Sequence, residues 1–261
     1  MAEPSIINRF LVQNNIRIAT NPAISPDLVL DFDELLDEIT KEKDVLAGLK
    51  DTVSAKDIDA KLKKLILWPE SEFSVSNTRF FLIESHTTGD SSLIAFGEED
   101  LPFENIEVMD NFFAVIPLYW QNLIHLKNHV QANDPASTLF PKADGSLEKT
   151  SLGVGARFTT LHWPAVAWAM KHLNLSMTAN QNSIPRELVY DVAAMSENRL
   201  AEVPFPFIGR NVPEGHQGQS VMGMSHASIM TYLKYGFHQN NIAWGFNADH
   251  QPIGGRYDEI E

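Results

Sequence analysis

"NNIAWGFNADHQPIGGRYDEIE", residues 240–261, carries a short apolar run into an Asp-His pair and then Gly-Gly. Ile242, Ala243, Trp244, Gly245 and Phe246 are apolar or small, the pattern of a strand buried on both faces. Asn247, Asp249 and His250 follow at its C-terminal end. In βα-barrels that end carries the reacting groups, because the βα loops form the open face. A neutral imidazole binds a divalent cation, and a neighbouring carboxylate serves as second ligand or general base. Adjacent residues of an extended strand point to opposite faces, so Asp249 and His250 share a pocket only where the chain bends. Gly254 and Gly255 permit a bend, whereas Pro252 holds Gln251 extended. The competing reading is a strand end where Asp249 caps the next helix and His250 faces solvent.

Working back towards residue 151, strand and helix patterns alternate. "LGVGARFTT" reads as strand or loop, and "WPAVAWAMKHLNL" as a helix with Pro164 near its start. "LSMTANQNS" reads as a short strand with a polar end. "PRELVYDVAAMSEN" reads as a helix, 207–226 as a Gly- and His-rich loop, and "ASIMTYLKYGFH" as a helix. Alternation of this kind predicts βα units around a parallel sheet. The strand at 242–246 is expected to lie parallel to the strand at 175–178. Asp249 and His250 are then expected on the same side as Gln181 and Arg186.

The earlier half has a different grammar. Apolar spacing predicts a helix over 31–49, with a break near Lys43, and a second helix from Ser54 to Pro69. "TRFFLIES-HTTGDS-SLIAFG" predicts a β-hairpin with strands at 79–85 and 92–97. A helical period runs over 119–130, and 133–151 is rich in chain breakers. The predicted fold is α/β: a partial (β/α)8 TIM-type barrel preceded by a mainly helical α+β region. The boundaries are 1–135 for the acidic N-terminal region, 136–150 for a linker and 151–261 for the barrel part.

Composition narrows the function classes. The net charge is −14, which repels nucleic acid phosphates. Residues 1–150 hold 25 acidic and 13 basic side chains, against 9 and 7 in 151–261. The second part has 6 of the 9 histidines and 10 of the 14 glycines, so chemistry is sought there. No run reaches the roughly 18 apolar residues of a membrane span, and no signal peptide is visible. The absence of cysteine fits a reducing, cytoplasmic setting. No nucleic acid or membrane partner is expected, and a homo-oligomer is left open.

In "TANQNSIPRE", Gln181, Asn182 and Ser183 suit hydrogen bonds to sugar hydroxyls, and Arg186 suits a carboxylate. The alternative is helix capping, with Arg186 in an exposed ion pair. "GVGAR" lacks the residues of a dinucleotide or P-loop motif. His216 and His226 match no helical metal spacing and read as parts of a loop over the barrel mouth.

"GVGARFTTLHWPAVAWAM", "MTANQNSIPREL" and "YGFHQNNIAWGFNADH" occur in an order that resembles the metal-dependent tagaturonate/fructuronate epimerase family. The similarity covers about residues 151–258, with Gly153, Gly155 and Arg157 matching the first segment. Gln181 or Asn182, Ser183, Arg186 and Glu187 match the second. Gly245, Phe246, Ala248, Asp249 and His250 match the third. The resemblance implies a divalent metal cofactor, Asp249 as proton acceptor, and His250 as a metal ligand. It places Gln181, Asn182, Arg186 and Arg157 against a small sugar acid. Ala156 and Asn247 stand where the family has Asp, and Gln251-Pro252 displaces its Lys. The family's further ligands and proton donor lie on later strands, so the chain is expected to be the N-terminal part of a longer protein. As such it is expected to be an inactive fragment of a hexuronate epimerase. A carbohydrate-binding protein without chemistry and another metal-dependent hydrolase or aldolase are the rival readings.

Overall fold

The computed structural model describes residues 32–50, 54–97, 101–110, 112–142, 150–154, 159–180 and 221–247. These residues form a mixed α/β structure with two sheets. One is five-stranded, antiparallel, in the order β1-β2-β3-β5-β4. Its strands are β1 (Leu65–Val75), β2 (Thr78–Ser85), β3 (Ser91–Phe96), β4 (Glu107–Met109) and β5 (Phe113–Pro117). The other sheet has three parallel strands, β6 (Ser151–Val154), β7 (Ser176–Asn180) and β8 (Trp244–Asn247), in that order. The helices are α1 (Phe32–Ala47), α2 (Ala55–Asp59), α3 (Trp120–Asn133), α4 (Thr159–Leu173) and α5 (Val221–Lys234).

The expected hairpin is present as β2 and β3, and the helix expected at 119–130 is α3. α1 runs without a break at Lys43 and ends in a 3-10 turn, Gly48–Lys50. The helix expected from Ser54 to Pro69 is corrected: α2 is five residues long, and 65–75 is strand β1. Two carboxylates end the helical stretch by capturing backbone donors. Glu42 accepts from the Lys63 and Lys64 amides, and Asp59 accepts from the Leu67 amide at 2.9 Å. Pro69 is tolerated because, among the described residues, β1 pairs only with β2. Its register is also broken between Trp68 and Phe73, where a missing N–H costs no ladder bond. Among the described residues, the N-terminal region combines this antiparallel sheet with helices α1, α2 and α3.

Phe80, Phe81, Leu82 and Ile83 on β2 are all fully buried, although consecutive strand residues face opposite ways. Both faces are covered. On one, Glu38 of α1 accepts hydrogen bonds from the Ser85 and Thr87 hydroxyls, each at 2.6 Å. On the other, Lys234 of α5 pairs with Glu84. α5 is buried on every side from Ser228 to Lys234, as expected of a helix enclosed by other elements.

The parallel-sheet part and the antiparallel sheet share one core. Tyr235 meets Trp68 edge to face at 5.7 Å between ring centroids. His238 Nε2–H donates to the Glu72 carbonyl at 2.9 Å, and the Gln239 amide donates to that of Glu70. Gly236 makes this approach feasible. Its φ is +66°, and a Cβ there would stand 2.8 Å from the Glu70 oxygen. Residues 134–142, read from the sequence as connecting chain, contain no helix or strand, yet Leu139 and Phe140 are buried in that core.

Candidate functional site

The strand expected at 242–246 is β8, four residues from Trp244, and it lies parallel to β7 as the sequence pattern predicts. Parallel register places three residues in each row. Leu152, Met177 and Trp244 form one row; Gly153, Thr178 and Gly245 form the next. Ser151 stands beside Ser176, and Asn180 beside Asn247. Because facing alternates along a strand, Ser151, Ser176, Gly153, Thr178 and Gly245 share one face, and register positions 180 and 247 continue it. That face is built of small and hydroxyl-bearing residues. The opposite face carries Leu152, Met177 and Trp244.

The apolar face is held by α5. Trp244 is fully buried and stacks on Tyr232 with centroids 4.8 Å apart, and Met177 is fully buried beside it. The indole N–H donates to the Thr138 carbonyl at 3.0 Å, and the Tyr232 hydroxyl donates to the Ile242 carbonyl at 2.7 Å. Burial pushes the Tyr232 phenol far above its ordinary range, so it stays a neutral donor. The Trp244 carbonyl accepts from the Lys142 amide at 2.7 Å. These bonds fix the start of β8.

On the polar face the Ser151 and Thr178 hydroxyls are hydrogen-bonded at 2.8 Å. Gly153 and Gly245 flank Thr178 in register, so no side chain stands beside it on either neighbouring strand. Ser151 and Ser176 begin their strands, and Thr178 is the middle residue of β7. Ser176, Thr178 and Gly245 are buried, so this is a covered hydroxyl layer that positions 180 and 247 carry on to the C-terminal ends. The C-terminal ends of parallel strands, here at Val154, Asn180 and Asn247, are the usual place for a ligand in such a sheet. Sequence reasoning missed Ser151 and Thr178. The signal was present in the alternation of "SMTAN" and "SLGV", which is visible only once their mutual register is known.

Arg157, Gln181, Asn182, Arg186, Asp249 and His250, together with His216, lie outside the described residues. His226 does not lie in a loop, as the sequence reading had it; it belongs to α5 and is buried. Burial, and then the nearby Lys234 ammonium, hold its imidazole well below the ordinary histidine range. Neither ring nitrogen has a hydrogen-bond partner. Among the described residues, no group of three or more His, Asp or Glu is placed to hold a metal ion. Among those residues, too, no helix is long and apolar enough to cross a membrane.

No family model matches the chain, and no curated protein matches it. Crystal structures of fructuronate-tagaturonate epimerase UxaE from Cohnella laeviribosi are similar to it. The form complexed with two glycerols has 16% identity and a TM-score of 0.47, covering 81% of this chain and 33% of that one. The one-glycerol complex has 17% identity and a TM-score of 0.45, covering 72% and 30%. The native form has 16% identity and a TM-score of 0.43, covering 78% and 34%. The chain thus spans about a third of the length of these relatives.

Proposed function

We propose that the chain is part of a sugar-acid (hexuronate) epimerase built on a (β/α)8-type barrel, of which β6, β7 and β8 are consecutive strands. The observation that carries this reading is the parallel sheet with one face of Ser, Thr and Gly. Hydroxyl and backbone groups on such a face suit a ligand rich in hydroxyls, whereas a purely packed barrel interior favours branched apolar residues. The sequence adds the matching motif order. Arg157 follows β6 by three residues, Gln181 and Asn182 follow β7 by one and two, and Asp249 and His250 follow β8 by two and three.

In this reading Asp249 removes the proton next to the carbonyl of the sugar acid. Arg186 and Arg157 hold its carboxylate, offsetting repulsion from a chain of net charge −14. Gln181 and Asn182 hold its hydroxyls. The resemblance also implies a divalent metal, with His250 as ligand. His250 alone falls short of the three protein ligands of a typical catalytic centre, so no step is routed through a metal here. The polar face would serve a carbohydrate-binding protein equally well, and one experiment separates the two. Incorporation of solvent deuterium at the carbon next to the carbonyl is followed by NMR, using the full-length gene product, candidate hexuronates and added divalent metals. Asp249→Asn should slow exchange by roughly 10²–10⁴-fold. Wild-type rates in that variant remove Asp249 from the role, and no exchange in the wild type favours binding without chemistry.

A further inference from the structure

A cleft of about 380 Å³ opens between α2 and β1, within the roughly 300–1,000 Å³ of small-ligand sites. One wall is an irregular part of the sheet. Trp68 pairs with Leu82 and Phe73 with Phe80, so residues 69–72 stand opposite Phe81 alone. A bulge of this kind re-aims side chains. Three bonds hold it in place. The Leu82 amide donates to Ser71 Oγ at 2.8 Å, His238 Nε2–H to the Glu72 carbonyl at 2.9 Å, and the Gln239 amide to the Glu70 carbonyl at 2.9 Å. Glu70 and Glu72 thus have fixed backbone positions, and both line the cleft.

Two cations line it with them. Lys56 pairs with Glu70 at 3.0 Å, and Arg79 with Glu72 at 2.8 Å. All four side chains are at least 40% exposed, so a solute reaches them. Both pairs leave capacity unused. Arg79 gives Nε–H and one Nη2–H to a single Glu72 oxygen, and one Nη1–H to the Leu49 carbonyl at 3.1 Å. Among the described residues, one N–H on each terminal nitrogen remains. The guanidinium lies 5.2 Å over the Phe81 ring, which fixes its plane. Oε2 of Glu70 and Oε2 of Glu72 take part in neither pair.

We infer that this cleft binds a small zwitterion of the amino acid type, its carboxylate on Arg79 and Lys56 and its ammonium on Glu70 and Glu72. An anion alone would meet two carboxylates, and a cation alone would meet an ammonium and a guanidinium. A molecule carrying both charges is matched on both sides. The inference is independent of the hexuronate reading, whose residues follow β6, β7 and β8.

The test titrates the ¹⁵N-labelled full chain with L-alanine, L-glutamine and 4-aminobutyrate, and with propionate and propylamine as single-charge controls. At least one zwitterion should shift the amide signals of residues 54–56, 70–72 and 79–81 along a saturable curve. Propionate and propylamine should need about tenfold or more higher concentration for the same shift. Arg79→Gln should weaken the zwitterion about tenfold. No saturation with any of the three, equal affinity for a single-charge control, or shifts centred on other residues overturns the inference, and none of these readouts needs a variant to fold. Wild-type affinity in Arg79→Gln, with an unchanged circular dichroism spectrum, also overturns it.

Discussion

The ion pair between Lys234 and Glu84 gives the sharpest test of how the two sheets are joined. The side chains are 8% and 6% exposed, and the Lys234 ammonium also lies 5.1 Å above the centre of the Trp68 ring. Glu84 belongs to the antiparallel sheet and Lys234 to the last turn of α5, which packs on the parallel sheet. Removing one partner leaves the other charge in a poorly solvated place. Lys234→Met should therefore cost about 3–5 kcal/mol, and Glu84→Gln a comparable amount. Removing both charges leaves no isolated ion, so the double variant should lose much less than the sum of the single losses. The expected coupling is about 2–3 kcal/mol. Urea denaturation followed by tryptophan fluorescence and by circular dichroism gives all four corners of the cycle. An unchanged slope on denaturant shows that stability, not compactness, has moved. Additivity within about 0.5 kcal/mol would refute the reasoning, since it would mean that each charge is solvated without the other.

Three further outcomes are expected. Gly236→Ala combines a positive φ with a contact to the Glu70 carbonyl and should lower stability by about 1–3 kcal/mol in thermal melts, whereas a neutral result would deny the close approach of the two parts. His226 is held neutral by burial, so the unfolded chain takes up its proton first as pH falls. Stability is then full above pH ~6.5 and falls by up to about 1.4 kcal/mol per pH unit below it, for as long as the folded ring stays neutral. His226→Leu should flatten that limb by one proton, and a slope equal to wild type would show that the ring is not buried; His238, also lowered by burial, contributes in the same direction and remains in the variant. Tyr232→Phe removes the bond to the Ile242 carbonyl and should cost about 1–2 kcal/mol, measured by chemical denaturation, and no loss would show that water replaces the hydroxyl.

Local signals made several elements legible. The β2–β3 hairpin was readable because two β-rich runs flank "HTTGD", whose Gly89 adopts a φ of +75°. The parallel pairing of β7 and β8 was readable from alternation of strand and helix patterns after residue 150. α3 followed from its period alone. In each case the decisive interactions lie within a few residues of one another, or in a repeating pattern, so a linear reading samples them.

Where contacts span the chain, the tertiary structure decided. "LILW" fits a helix period as well as a strand period, and it became β1 because β2 was there to pair with it, because Glu42 captures the Lys63 and Lys64 amides before it and because Asp59 captures the Leu67 amide within it. His226 read as a loop residue because Gly and Met surround it, and burial among other elements made it helical. Glu84 and Lys234 are 150 residues apart in the chain, and only folding brings them together and removes both from water. The polar face of β6, β7 and β8 exists in no single strand. Each strand by itself alternates small polar and apolar residues, and parallel register aligns three such alternations so that Ser151, Thr178 and the flanking glycines form one surface. Sequence determined which residues alternate, through the twofold period of an extended backbone. Structure determined which strands lie side by side and in what register, because that depends on burying Trp244 and Met177 under α5, a contact no local pattern encodes.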